Sequence, residues 1–348
     1  MRVLRALSRR SRPSTLVLWL AAALCGCGSS ALPSAEGGGG TAGAGGNPAA
    51  LPSDREGVFD FLVTSLNFYY PEPIEELAEE IPNPCGLDGT TDNTMYRPLS
   101  FGEAVVNGFD LDGVASADGS GPCGQADYLG TDGSDGIDYA FLGIIDLIRP
   151  IRPDQVARGV LASAPSEGLI NFGIRISGVD SWNEDHDVEV LVTDVSEVPL
   201  RGTDGRIIAR SSVAVEPNPD WQTRFRGQIV DGVLTAGPSD FTLGDIDLII
   251  IEDKVLRLRD AMIRASFTER ADGVIELSSV LSGWWSKDNM LDTIGGIVLA
   301  IGANDGELAC AADLWADASS NEVDCDLVST IFEVNAVSGF LTGLEGVE

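Results

Sequence analysis

Gly168-Leu169-Ile170-Asn171-Phe172-Gly173-Ile174-Arg175-Ile176-Ser177 alternates strictly. Ile170, Phe172, Ile174 and Ile176 fall on one side, and Asn171, Gly173, Arg175 and Ser177 on the other. A period of two is that of a strand buried on one face. Val188, Val190 and Val192 repeat it, as do Ile263, Ala265 and Phe267, and then Ile275, Leu277 and Leu281. Asp204-Gly205, Asp231-Gly232 and Asp272-Gly273 punctuate these runs. The second, set between Gln228-Ile229-Val230 and Val233-Leu234-Thr235, is a two-residue hairpin signal. Roughly eight short strands over 168–283 predict a mainly β chain. The expected architecture is an antiparallel β-sandwich, jelly-roll-like, with a few short helices.

Outward from this core, Val58–Tyr70 is rich in Phe, Val and Tyr and reads as a further strand. A short acidic helix is expected over Ile74–Ile81, with Pro73 at its first turn. Ile137, Phe141, Ile144, Ile145 and Ile148 recur at helical spacing, and Pro150 ends that helix. Another helix is expected over Asp154–Ala162. Downstream, Ser286 can cap a helix running to about Ile301. Asn304–Asp326 reads as an acidic loop, and the apolar Phe332–Leu344 as a segment that packs back on the core. Residues 57–348 are thus expected to form one domain, with 286–348 as a helical and acidic cap.

One stretch departs from both periods. Residues 107–138 hold seven Asp and eight Gly, and no Lys or Arg occurs between Arg97 and Arg149. Carboxylates so crowded repel one another unless solvent or a cation screens them. Ca²⁺ takes oxygen ligands from flexible, Gly-rich loops, so this stretch predicts a structural calcium site. The candidate ligands are Asp110, Asp112, Asp132, Asp135 and Asp138. Neither Asp110-Leu111-Asp112-Gly113 nor Asp132–Asp138 keeps EF-hand spacing. The competing reading is a solvated acidic surface loop.

Four cysteines lie beyond the first 27 residues: Cys85, Cys123, Cys310 and Cys325. An even number in an exported chain suggests two disulfides, for which three pairings exist. Cys85–Cys123 and Cys310–Cys325 are expected, because each pair shares one acidic, loop-rich region. A Cys₄ zinc site would need Cys-x-x-Cys spacing, which is absent.

The formal net charge of −32 argues against nucleic acid or an anionic lipid surface as a partner. The few cations are unevenly placed. Five Arg fall in Met1–Pro13, ahead of an apolar Ser14–Leu24. That is a charged region followed by a hydrophobic one, too short for a transmembrane span. It ends Leu24-Cys25-Gly26-Cys27, which resembles a bacterial lipobox, with Cys27 as the acylated residue. Gly28 stands where an Asp would favour inner-membrane retention, so the resemblance implies a lipid anchor in the outer membrane. The alternative is ordinary cleavage and secretion. Residues 28–56, with Gly37–Gly40, Gly43, Gly45 and Gly46, read as a flexible tether. As a whole, the chain resembles bacterial surface lipoproteins with an Asp/Gly-rich loop and an all-β body.

Catalytic signals are weak. His186, the only His, sits in Asn183-Glu184-Asp185-His186-Asp187 just before a strand, as a surface residue would. No Gly-x-Ser-x-Gly elbow occurs. Trp284-Trp285 follows strand-like sequence, where alternation puts one ring inside and one outside. An exposed Trp there, beside Trp182 or Trp221, could stack on a sugar ring. The expectation is a non-catalytic, calcium-stabilised binding or adhesion module of the cell envelope, with a glycan or a surface protein as partner. The alternative is a carbohydrate-active hydrolase using two carboxylates on the β body.

Overall fold

The structure, a computed structural model, describes residues 57–71, 79–82, 85, 94–97, 104–116, 123, 125–148, 164–165, 167–248, 251–300, 305–321 and 324–344. The leader with Cys27, the tether over 28–56, Asp118 and the helix expected over 154–162 lie outside the described residues.

Eight antiparallel strands follow one another around a closed barrel: β1 (Gly57–Phe68), β2 (Phe172–Val179), β3 (Glu184–Asp194), β4 (Gln222–Val230), β5 (Val233–Leu248), β6 (Ile251–Glu269), β7 (Ile275–Ser286) and β8 (Cys325–Thr342). Each pairs with the strand before it, and β8 closes on β1 from Asp60 opposite Gly339 to Phe68 opposite Phe332. The mainly β reading holds, but the sheet is an up-and-down barrel and not a sandwich. Only six of its strands come from 168–283; the two that close it come from 57–68 and 325–342. β5 and β6, of 16 and 19 residues, carry register shifts near Ser239 and between Arg259 and Met262. Such irregularities bend a twisted sheet until its edges meet, and closure leaves no unpaired edge between β1 and β8.

Alternation decides what fills the barrel. In β6, Ile263, Ala265 and Phe267 are buried, while Ser266 and Thr268 between and beyond them are exposed. In β4, Thr223, Phe225 and Ile229 are buried, and Arg224, Arg226 and Gln228 face outward. The interior is packed with rings: Phe225 lies 6.4 Å from Phe241, and Phe61 lies 6.0 Å from Phe267. At one end Trp182, from the β2–β3 turn, stacks edge-on against Phe59 and Phe267, each at 4.5 Å. At the other, Phe141 of helix α1 (Phe141–Ile148) packs on Phe68 and Trp285. Apolar inside and charged outside is the reverse of a transmembrane barrel. Among the described residues, no helix is long and apolar enough to cross a membrane.

The β1–β2–β8 junction is latched by one ion pair. Arg175 donates to Asp60 from Nε at 2.6 Å and from Nη2 at 3.0 Å. Arg175 also donates to the Leu341 carbonyl, and the Leu341 N–H donates back to Asp60. Beside it, residues 195–215 fold over the outer surface, where Val195, Ile207, Val213 and Val215 form a second small core with Leu62 and Leu341.

Helix α2 (Lys287–Ala300) starts as expected, with the Asn289 N–H donating to the Ser286 hydroxyl. Two expectations fail. The end of the helix expected over Ile74–Ile81 is instead extended, as Glu79–Pro82 pairs with Thr94–Arg97; residues 74–78 lie outside the described residues. The 304–326 loop contains helix α3 (Asp305–Trp315). Its Leu308, Ala311, Ala312 and Trp315 share one face and bury most of it, a spacing masked by the surrounding acids.

The four cysteines do form two disulfides, but the partners are exchanged. Cys85 pairs with Cys310 and Cys123 with Cys325, at Cα separations of 5.6 and 5.8 Å. Closeness in sequence misled the expected pairing. The barrel returns α3 and the start of β8 to the segment that precedes α1, so partners 225 and 202 residues apart meet.

Candidate cation site

The Asp/Gly stretch lies on the outer surface of β8. Its frame is a parallel pairing of Val105–Val106 with Leu129–Gly130, a bridge from Tyr128 to Ile137, and the Asp138 N–H donating to the Phe109 carbonyl at 3.0 Å. Its few apolar residues do the anchoring: Phe109, Tyr128, Ile137 and Tyr139 are all buried in the main core. Gly108 makes the close approach possible. A Cβ there would stand 2.5 Å from Ile331 Cδ1 of β8 and 2.8 Å from Ile137 Cγ2.

With the apolar side chains turned inward, the acids are left on the rim. Asp110, Asp112 and Asp138 bring one carboxylate oxygen each within 4.8 Å of one another. Asp110 and Asp112 are exposed, whereas Asp138 is only 4% exposed. Each carboxylate also holds the loop. Asp110 accepts the Gly113 N–H and Asp112 the Val114 N–H, both at 2.7 Å, and Asp138 accepts the Leu111 N–H at 2.6 Å. Gly136, at φ +86°, sits so close that a Cβ would be 3.2 Å from the Asp110 carboxyl carbon.

Burial pushes the Asp138 carboxyl up to about 9, against the Leu111 N–H, with Asp317, Asp112 and Asp127 adding repulsion. Asp127 accepts the Ser116 N–H and is also raised, by burial first and then by Asp112 and Asp110. Asp317 is raised to about 7 by burial, in spite of the Ser329 hydroxyl and N–H that donate to it. Three acids around one point therefore all resist ionisation without a counter-charge.

Of the five expected ligands, three converge and two do not. Asp132 folds into its own turn, accepting from the Ser134 N–H at 3.0 Å and the Ser134 hydroxyl at 2.5 Å. Those bonds hold its carboxyl below the usual range. Asp135 is exposed and stands outside the triad. Conversely, Asp127 belongs to the repulsive group though it was not selected, and Asp317 arrives from the far end of the chain. No local signal marks Asp317; it reaches the group because Asp317 N–H and carboxylate bond to Leu327 and Ser329 of β8.

The triad offers oxygen donors alone, the set that suits Ca²⁺ or Mg²⁺ and not zinc. His186 is exposed beside Glu184, 3.5 Å away, as a surface residue. Trp182, Trp284 and Trp285 are all buried, so none is an exposed stacking platform. Comparison of the chain with protein-family models, curated proteins and solved structures found no match.

Proposed function

We propose that this chain is a non-catalytic binding or adhesion module of the cell envelope whose Asp/Gly loop is held by a structural Ca²⁺. The observation that carries it is the buried Asp138 carboxylate facing Asp110 and Asp112. A divalent cation converts that repulsion into coordination, and loop carbonyls complete the six to eight oxygens that Ca²⁺ takes. Asp112 and Asp138 act through the same bonds that shape the loop, so the ion would order the segment joining β1 to α1. The leader and lipobox support anchoring through Cys27 in the outer membrane, with the 28–56 tether as a spacer. The partner is a glycan or a surface protein; the acidity of the chain disfavours nucleic acid.

Thermal melting in millimolar Ca²⁺ and in chelator tests the cation. A ligand bound to the folded state alone adds about 2.7 kcal/mol at a hundredfold excess over Kd. The melting temperature should rise with Ca²⁺, and Asp110→Asn with Asp112→Asn should remove the rise. Coincident curves would defeat the cation reading. Separately, Cys27→Ala should release the protein from membranes or block its processing.

A further inference from the structure

On the outer face of β6–β8, beside the Asp/Gly stretch, lies a cavity of about 280 Å³. Strand register fixes its floor. Arg264 lies opposite Val280, and Val280 opposite Glu333. In the next row Ser266 lies opposite Ser278, and Ser278 opposite Asn335. Arg264 and Glu333 thus stand two strands apart, on the order of 10 Å between their Cα atoms, with Val280 between them. The second row is wholly neutral and polar. Asn107, from the Asp/Gly stretch, contributes one wall, where its Oδ1 accepts from Arg264 Nη1 at 3.3 Å.

Arg264 is fixed from three sides. Besides Asn107, its guanidinium carbon sits 4.6 Å over the Phe109 ring, and Nη1 lies 4.0 Å from Asp132. All three partners belong to the Asp/Gly stretch, so the loop sets the position of the cavity's cation. The cavity therefore combines one guanidinium, one carboxylate, two amides and three serines around a small apolar patch.

We infer that this cavity is a binding site for a single neutral sugar residue, an assignment that rests on the binding-module reading above. Guanidinium, carboxylate and amide are planar groups that can bond to two neighbouring hydroxyls at once, and serine hydroxyls both donate and accept. Val233, exposed at the cavity's edge, offers a surface to the C–H face of a ring. The one positive and one negative lining group cancel, and a chain of net charge −32 repels anionic ligands. A free amino acid would engage Arg264 and Glu333 at its two ends but would make no use of the Ser266 and Ser278 hydroxyls in the next row. The volume lies just below the range of about 300–1,000 Å³ typical of drug-sized ligands, which limits the site to one ring.

The test uses the folded protein with methyl glycosides of glucose, galactose, mannose and N-acetylglucosamine, followed by ligand-observed NMR in calcium and in chelator. Glucuronate and glycine serve as the anionic and zwitterionic comparisons. At least one neutral glycoside should bind saturably, with Kd on the order of 1 mM for so small a ligand. Ser278→Phe, which fills the cavity from an exposed position, should abolish binding, and Glu333→Gln should weaken it about tenfold. Melting of each variant at the wild-type temperature confirms the fold. No saturable binding of any glycoside, tighter binding of glucuronate or glycine, or binding that survives Ser278→Phe would overturn the assignment. Melting curves on the same samples separate the two readings. A calcium shift without glycoside binding removes the sugar site alone, and glycoside binding without a calcium shift removes the cation alone.

Discussion

The Asp138 carboxylate accepts the backbone N–H of Leu111 across 27 residues of sequence. Leu111 sits between Asp110 and Asp112, so this one bond carries both exposed acids to the buried one. The acidic group and the loop closure are the same structure, and whatever neutralises the first stabilises the second.

Cation-free protein should lose stability as pH rises. Asp138 and Asp317 have folded pKa values raised to about 9 and about 7, whereas an unfolded Asp titrates near 4. Between those values the folded state binds more protons than the unfolded, so the contribution is full below pH ~4. It is lost first through about 7 and then through about 9. Melting in chelator from pH 5 to 9 should fall, and Asp138→Asn should flatten the upper part of that fall. A pH-independent melting temperature would contradict the burial of both acids.

The calcium shift should depend on Asp110, Asp112 and Asp138 and not on Asp135, although all four occur in the same Asp/Gly run. Asp135→Asn should retain the full shift in melting temperature. Gly136→Ala should reduce it, since a side chain at φ +86° is strained and presses on Asp110. Loss of the shift in Asp135→Asn would relocate the ion.

Non-reducing peptide mapping should recover Cys85 linked to Cys310 and Cys123 linked to Cys325. Each bridge closes a loop of about 200 residues, for which chain entropy gives about 5 kcal/mol. Reduction should therefore lower the urea midpoint well below that of the oxidised protein. Linkage of Cys85 to Cys123 would refute the way α3 is placed.

Asp60→Ala should destabilise the barrel by about 3 kcal/mol, because it strands the Arg175 guanidinium and removes the acceptor of Leu341 N–H. Urea unfolding measures the loss. A change below 0.5 kcal/mol, as for an ordinary surface pair, would show that the closure does not rely on this latch.

Much of the fold was legible because strands announce themselves locally. The alternation from Ile170 to Ile176, the Asp231-Gly232 hairpin and the cap at Ser286 each state a conformation within a few residues, and the structure keeps all three. The Asp/Gly run was visible for the same reason, as a local excess of one charge. What lay beyond reach was pairing at a distance. Helix α3 was hidden because its acids suggested a loop, while its burial depends on neighbours from elsewhere in the chain.

The sequence by itself determined the local periods, the mainly β character, the count of cysteines and the acidic loop, since each depends on residues next to one another. Only the tertiary structure decided that the sheet closes, because closure requires β1 and β8, some 260 residues apart, to share a hydrogen-bonded edge. The same return of β8 exchanged the disulfide partners and brought Asp317 beside the acidic loop. It also chose Asp138 over Asp135 as the third acid. The run from Gly136 to Ala140 is buried without a break, so Asp138 goes in with Ile137 and Tyr139, while Asp135 stays in solvent. For Asp138 and Asp317, burial in the folded chain raises the pKa, whereas Asp132 is held by Ser134 in its own turn.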